Sequence, residues 1–331
     1  MAERPQLRLV TPPAAGEPSP RRAPARPQRR GSGRIVAMGG GKGGVGKSLV
    51  TANVGIELAR LGRRVVLVDC DLGGANLHTC LGIDPPRRTL SDFVKHGVRD
   101  LAELYVPAGM PNLFLVSGAL DDLDAANPVH SQKMRFIRNL MSIEADHVIL
   151  DLAAGTQKNT LDFFLVADHK VVVLVPEHGS VENAHRFLKA AYWRSLERAS
   201  SLFGVAPLLR EILSARRFRD PREVLAAIQE ADAETGRQLG EQMEAFRPAV
   251  VVNQVRTPAD EALGSRIALA WRHAGVSMEV LGTIEHDEEV WRAARERRPL
   301  LPARSPGRAA RSIGRIAARL LELDAIAEAA R

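Results

Sequence analysis

Eight consecutive residues, Gly41-Lys42-Gly43-Gly44-Val45-Gly46-Lys47-Ser48, hold the most specific chemistry in this 331-residue chain. They fit G-x-x-x-x-G-K-[ST], in which glycines let backbone N–H groups approach phosphate oxygens, the lysine neutralises β/γ charge and the hydroxyl serves Mg²⁺. Lys47 and Ser48 take those two tasks. Lys42 has no use in an ordinary loop of this kind, and the glycines beside it leave it free to project. Carboxylates follow at Asp69 and Asp71, on either side of Cys70, and at Asp151 in Asp151-Leu152-Ala153-Ala154-Gly155. Phosphoryl transfer needs positioning and charge stabilisation more than covalent chemistry, so lysines, placed carboxylates and a divalent cation supply most of the parts.

These groups must be brought together by the elements that carry them. Short apolar runs at 35–38, 65–68, 148–150, 171–175 and 250–252 alternate with helical patterns, as expected of a parallel sheet buried on both faces. A run at 113–116 adds a strand, and 278–281 is expected to pair at an edge. The helix predicted over 47–61 lines up Val50, Val54, Leu58 and Leu61 and stops before Gly62, a C′ glycine. Each strand is followed by polar residues: Gly39-Gly40-Gly41, Asp69, Asp151, Pro176-Glu177 and Asn253. Ligands of open α/β sheets sit beyond the carboxyl ends of the strands, so these segments should converge. The fold class is α/β, a doubly wound, mainly parallel sheet of the P-loop NTPase type.

Composition bounds the reading. The 45% hydrophobic and 26% charged content is that of an ordinary soluble protein. Apolar runs are strand-sized, so no transmembrane helix is predicted, and the N-terminal arginines lead into no signal-peptide core. A cytoplasmic location is expected. Cys70 and Cys80 match no zinc or Cys-x-x-Cys spacing, and the nine histidines form no His-Glu-x-x-His pattern, so no transition-metal ligand is assigned. The net charge of +7 is terminal: residues 1–34 hold eight arginines against Glu3 and Glu17, and 291–319 hold nine against Glu296. Such patches either attract a polyanion, nucleic acid or anionic lipid, or are simply solvated. Residues 1–33, rich in Pro, Arg, Ala and Gly, are read as a disordered tail, and 34–330 as one domain with a helical insert at 200–247.

Lys42-Gly43-Gly44-Val45-Gly46-Lys47-Ser48 resembles the MinD/ParA family of deviant Walker-A ATPases, and the resemblance spans about residues 34–320. It implies ATP and Mg²⁺ as cofactors, slow partner-stimulated hydrolysis to ADP and phosphate, and an ATP-dependent homodimer in which Lys42 reaches the phosphates of the other subunit. By resemblance the catalytic set is Lys42, Lys47 and Asp71, with Asp71 orienting the attacking water. Gly41, Lys42, Gly43, Gly44, Val45, Gly46, Lys47, Ser48 and Leu49 bind the nucleotide, with Asn253 at adenine and Glu177 beside the nucleoside. Ser48, Asp69 and Asp151 serve Mg²⁺, Asp151 through water. Many relatives have glycine where Ala153 stands, which implies a stiffer segment here. No Asn-Lys-x-Asp guanine signature is present, so ATP is favoured over GTP.

Within the family, the stretch from Asp71 to His78 and the run from Glu177 through Ser180-Val181-Glu182-Asn183-Ala184 are most similar to the flagellar-number regulators of the FlhG/FleN type. The resemblance implies an activating protein partner and a positioning role exercised on a membrane or nucleoid surface. The Arg-rich termini are the candidate contacts to membrane or nonspecific DNA, and with 4% aromatic residues and no DNA-reading motif, sequence-specific recognition is not expected. A metabolic ligase or reductase on the same cradle, or a DNA-binding protein with a vestigial ATP site, are the alternatives. Helical patterns at Val224, Leu225 and Ile228, and at Leu239, Met243 and Phe246, make the insert either a partner platform or part of the core. A last helix over 308–329 sets Ile313, Ile316, Ala317, Leu320 and Leu321 apart from Arg308, Arg311, Arg315 and Arg319. It has few large apolar residues and no aromatic anchor, which favours a sheet-covering helix over a membrane-surface one.

Overall fold

The computed structural model describes residues 33–95, 97–118, 129–215, 218, 221–301 and 307–329. Apart from Gly33, the tail expected over 1–33 lies outside the described residues. The strands are β1 (Arg34–Gly39), β2 (Val65–Cys70), β3 (Val106–Pro107), β4 (Leu113–Val116), β5 (His147–Leu152), β6 (His169–Leu174), β7 (Pro248–Val255) and β8 (Glu279–Glu285). They form one eight-stranded sheet in the order β3-β4-β2-β5-β1-β6-β7-β8. Every pairing is parallel except β3 with β4. The expected doubly wound, mainly parallel sheet is therefore present, and residues 279–281 of the 278–281 run lie in the edge strand β8 while Met278 precedes it. β1, β2 and β5 are buried along their whole length, which is why their sequences read as apolar runs without alternation.

The longer helices are α1 (Lys47–Arg60), α2 (His130–Leu140), α3 (Lys158–Val166), α4 (His178–Leu202), α5 (Ala206–Ala215), α6 (Pro221–Ala231), α7 (Ala233–Glu244), α8 (Leu263–His273), α9 (Glu288–Arg295) and α10 (Arg308–Ala329). Two apolar cores flank the sheet. One joins α1 and α10 through Val50, Val54, Leu58, Ile313, Ile316 and Leu320. The other joins α2, α3 and α4 to the insert through Phe136, Phe163, Phe187 and Met243. α1 ends as expected ahead of Gly62, whose φ is 84°. Leu61 departs from the expectation: it sits past the last turn and is 51% exposed, because the helix ends before its side chain can join Leu58.

The core decides two questions the sequence left open. In the insert, Val224, Ile228, Leu239, Met243 and Phe246 are buried, and Phe246 meets Tyr192 of α4 edge-on at 5.5 Å between centroids. The apolar faces of α6 and α7 are thus packed on the body. In α10, Ile313, Ile316, Ala317 and Leu320 are wholly buried. Exposing its three largest residues would forfeit roughly 5–9 kcal/mol, so this helix serves the core and not a membrane surface. Part of its arginine stripe is already answered by carboxylates, Arg315 by Glu285 at 3.6 Å and Arg319 by Glu322 at 2.8 Å. Among the described residues no helix is long and apolar enough to cross a membrane.

Candidate phosphate-binding site

The loop between β1 and α1 is shaped by what its glycines allow. Gly46 caps α1 with φ 89°, a left-handed conformation that a side chain disfavours, and a Cβ there would come 2.5 Å from Asn253 Nδ2. At Gly41 a Cβ would lie 2.0 Å from the carbonyl oxygen of Asn183 on α4. A Cβ on Gly43 or Gly44, by contrast, would meet nothing within 4 Å, so the middle of the loop opens outward. No side chain caps the start of α1 and its first turn holds no acidic residue. Free N–H groups and the positive end of the helix dipole are left to face an anion. The cradle fits the phosphates of a nucleotide.

Beside it stands a pair of buried carboxylates. β5 lies between β1 and β2, and the register sets Asp69 directly opposite Asp151. Both are 1% exposed. Burial, then mutual repulsion, pushes Asp69 well above the usual carboxylate range. Burial also raises Asp151, against hydrogen bonds from Ser48 and Thr51 and the charge of Lys47. Asp69 is anchored by two amides, Leu77 N–H to Oδ2 at 3.0 Å and Asp71 N–H to Oδ1 at 3.1 Å. Lys47 is buried as well; burial lowers its pKa while Asp151 and Asp71 draw it back up. Two adjacent buried carboxylates and the Ser48 hydroxyl are oxygen donors, and the mutual repulsion that helps raise the Asp69 pKa is what a divalent cation such as Mg²⁺ would relieve.

The remaining predicted residues reach the same rim by different contacts. Lys42 Nζ donates to Glu177 Oε2 of its own chain at 3.0 Å, so the two meet each other. Lys47 Nζ donates to the carbonyl of Lys42 at 3.5 Å. Asn253 sits behind the loop, where Nδ2 donates to the Val45 carbonyl at 2.9 Å and Oδ1 accepts from Gln254 N–H at 2.9 Å. Its amide braces the cradle in this structure, a task the sequence reading did not assign it. Gly155, after Asp151, donates its N–H to the Gly40 carbonyl at 3.1 Å and so ties the two loops together. Leu49 lies in the first turn of α1, where its carbonyl accepts from Asn53 Nδ2 at 2.8 Å. Cys70 is buried and Cys80 half-buried, and both are free thiols.

Three supporting contacts escaped the sequence reading. Thr51 is fully buried and donates from Oγ1 toward both the Lys47 carbonyl, at 2.9 Å, and Asp151 Oδ1, at 3.2 Å. Asn53 Oδ1 accepts from Leu301 N–H at 2.9 Å, fastening the chain after α9 to α1. Asn183 supplies the carbonyl that forbids a side chain at Gly41. Thr51 had a legible signal, since a position four after Lys47 on a helix stacks over it. The Asn183 contact had none, being a backbone approach between distant segments.

The sequence matches the CobQ/CobB/MinD/ParA nucleotide-binding domain over residues 36–300. A putative septum site-determining protein MinD of Guillardia theta is 31% identical over 195 residues, covering 58% of this chain and 72% of that protein. The antiactivator FleN of Pseudomonas aeruginosa is 33% identical over 158 residues, 47% of this chain and 55% of FleN. Among solved structures, the septum site-determining protein MinD complexed with Mg-ADP from Pyrococcus horikoshii superposes with a TM-score of 0.62 at 20% identity, covering 88% of this chain and 98% of that one. A ParA family ATPase from Chlorobium tepidum gives a TM-score of 0.59 at 17% identity, covering 87% and 98%. At such identities the structural likeness speaks for the fold alone.

Proposed function

This chain belongs to the CobQ/CobB/MinD/ParA nucleotide-binding family, and from that premise we propose that it is a Mg²⁺-dependent ATPase in which ATP draws two copies together and hydrolysis releases them. The N–H groups of the loop and of the first turn of α1 bind the phosphates, and Lys47 neutralises the charge that develops on them. Ser48, Asp151 and Asp69 would hold Mg²⁺, which when bound would supply neutralisation of the phosphate charge. Asp71 accepts a hydrogen bond from the attacking water and aligns it. Asn253 keeps the loop in shape through Val45, and Gly155 links Asp151 to the loop through Gly40.

One observation carries the two-copy part of the reading. Lys42 stands in the outward-opening loop, and among the described residues its ammonium pairs with Glu177 alone, in an ion pair whose side chains are 45% and 63% exposed. A pair that exposed is worth at most about 1 kcal/mol, so Lys42 is readily drawn to the phosphates of a second subunit. In the cell, such a switch positions a structure, be it division site, flagellum or DNA cargo, by cycling on and off a membrane or nucleoid surface under a stimulating protein. The likeness to MinD and FleN supports this role. The first test is phosphate release from ATP, with and without Mg²⁺, by the wild type and by Lys47→Ala and Asp71→Ala. Hydrolysis lost in both variants, with nucleotide binding kept in Asp71→Ala, is expected; hydrolysis surviving Lys47→Ala would exclude this cradle as the ATPase site.

A further inference from the structure

A second cationic hollow opens among α2, α3, α4 and α5, on the core face opposite α1. It is a cavity of about 550 Å³, within the range of small-molecule sites. Its floor is a buried ion cluster. Asp162 of α3 is 4% exposed and accepts from Lys133 Nζ, from Arg194 Nε at 2.8 Å and from Arg194 Nη2 at 3.1 Å. Burial alone would raise the Asp162 pKa, but the hydrogen bonds from Arg194 and Lys133 outweigh it and hold the carboxyl below the usual range. Both oxygens of this carboxylate are therefore committed. Glu197, the other acid lining the cavity, is taken by Arg194 Nη1 at 3.1 Å.

The cations outnumber the acids. Arg198 and Arg210 also line the cavity, and among the described residues no carboxylate pairs with either. Arg210 donates from Nε to the Ala206 carbonyl at 3.3 Å, and among the described residues no hydrogen bond engages its terminal nitrogens. Partial burial, with Arg194 nearby, lowers the pKa of Arg198 against the pull of Asp162, the direction expected of a guanidinium lacking its own counter-ion. Arg198 and Arg210 are both exposed, so the two surplus like charges stand at the rim of one hollow and repel each other with no carboxylate between them. The walls are apolar: Ile137 and Leu209 are buried, while Met134 and Leu202 stand at the mouth 36% and 61% exposed.

We propose that this cavity is a second anion site, built for a small organic phosphate whose dianionic head lies between Arg198 and Arg210 and whose apolar body rests on Met134, Ile137, Leu202 and Leu209. Guanidinium forks match phosphate oxygens in geometry and charge. Two surplus positive charges match the two negative charges of a phosphate monoester. The site differs from the loop at Gly41–Ser48 in every residue, and α3 connects them, since it begins at Lys158 shortly after Asp151.

The test uses phenyl phosphate as the probe and the full chain saturated with Mg-ADP, so that the loop is already filled. Calorimetry on the wild type is expected to show submillimolar binding, with phenol and inorganic phosphate each at least about tenfold weaker. The Arg198→Ala, Arg210→Ala double variant is expected to bind phenyl phosphate at least about tenfold more weakly, as loss of charge-assisted hydrogen bonds dictates, with ADP affinity unchanged as the check on folding. Equal binding by the double variant, phenol or inorganic phosphate as tight as phenyl phosphate, binding abolished by saturation with ADP, or none up to 10 mM on the order of weak fragment affinities would each overturn the proposal. Should ADP itself fail to bind, the loop reading falls, while the double-variant comparison still tests this cavity.

Discussion

At the foot of the sheet, opposite the loop, the first residues of β1, β5 and β6 converge on one carboxylate of α10. Asp324 accepts from His147 Nε2 at 2.8 Å and His169 Nε2 at 2.7 Å, and pairs with Arg34 Nε at 3.2 Å. Its side chain is 11% exposed. Asp324→Ala removes the acceptor of two imidazoles and the buried partner of Arg34, leaving the guanidinium only the backbone carbonyl of residue 324 and the exposed Glu328, and breaking a buried charge set in this way costs about 3–5 kcal/mol. For a domain of this size the midpoint of thermal unfolding should fall by roughly 5–15 °C. The pH dependence has a definite sign. Burial alone would raise the Asp324 pKa, but the hydrogen bonds from His147 and His169 outweigh it and hold the carboxyl well below its usual range. A depressed carboxylate contributes stability above its unfolded value, near 4, and loses it as pH falls through the folded value. Urea unfolding followed by circular dichroism should show the full gap between wild type and Asp324→Ala at pH 7 and a narrowing one below about pH 4. A loss under about 1 kcal/mol at pH 7, or a gap that widens on acidification, would refute the reasoning. ADP affinity at low temperature should be unchanged, because the loop lies at the other end of the strands.

Other consequences follow from the site. Lys47→Ala should lower ATP turnover by about 10²–10³-fold, the usual effect of removing one preorganised donor at a developing charge, as measured by phosphate release. Thr51→Val removes the hydroxyl shared by Asp151 and the Lys47 carbonyl; it should cost about 1–2 kcal/mol in unfolding and weaken the Mg²⁺ dependence of ADP binding by calorimetry, with Thr51→Ser restoring both. Gly41→Ala should unfold at markedly lower denaturant because its Cβ would collide with the Asn183 carbonyl, whereas Gly43→Ala, with open space around it, should unfold like the wild type. Equal midpoints for the two glycine variants would contradict the packing described for the loop.

Much of the fold was legible because buried parallel strands and long amphipathic helices leave strong patterns. The run at 113–116 became β4, and the helix expected over 308–329 became α10. What escaped had no periodicity to announce it. β3 is two residues long and pairs antiparallel with Phe114 and Leu115. In the site, the strand-end rule gathered the loop, Asp69 and Asp151, because these stand on adjacent strands. It gave no account of Asn253 bonding to Val45, or of Lys42 bonding to Glu177, since a side chain's partner depends on three-dimensional neighbours that spacing does not encode. Apolar helical spacing in the insert was equally compatible with core or docking surface and in α10 only favoured the core, and burial separated the two.

The reading of Lys42 as a residue that acts across two subunits is tested most directly by light scattering coupled to size exclusion. With Mg-ATP, Asp71→Ala, which should bind without hydrolysing, is predicted to run as a dimer, and the same chain carrying Lys42→Ala as well is predicted to run as a monomer. With ADP both should be monomers. A monomer for Asp71→Ala under saturating ATP, or a dimer that persists without Lys42, would contradict it.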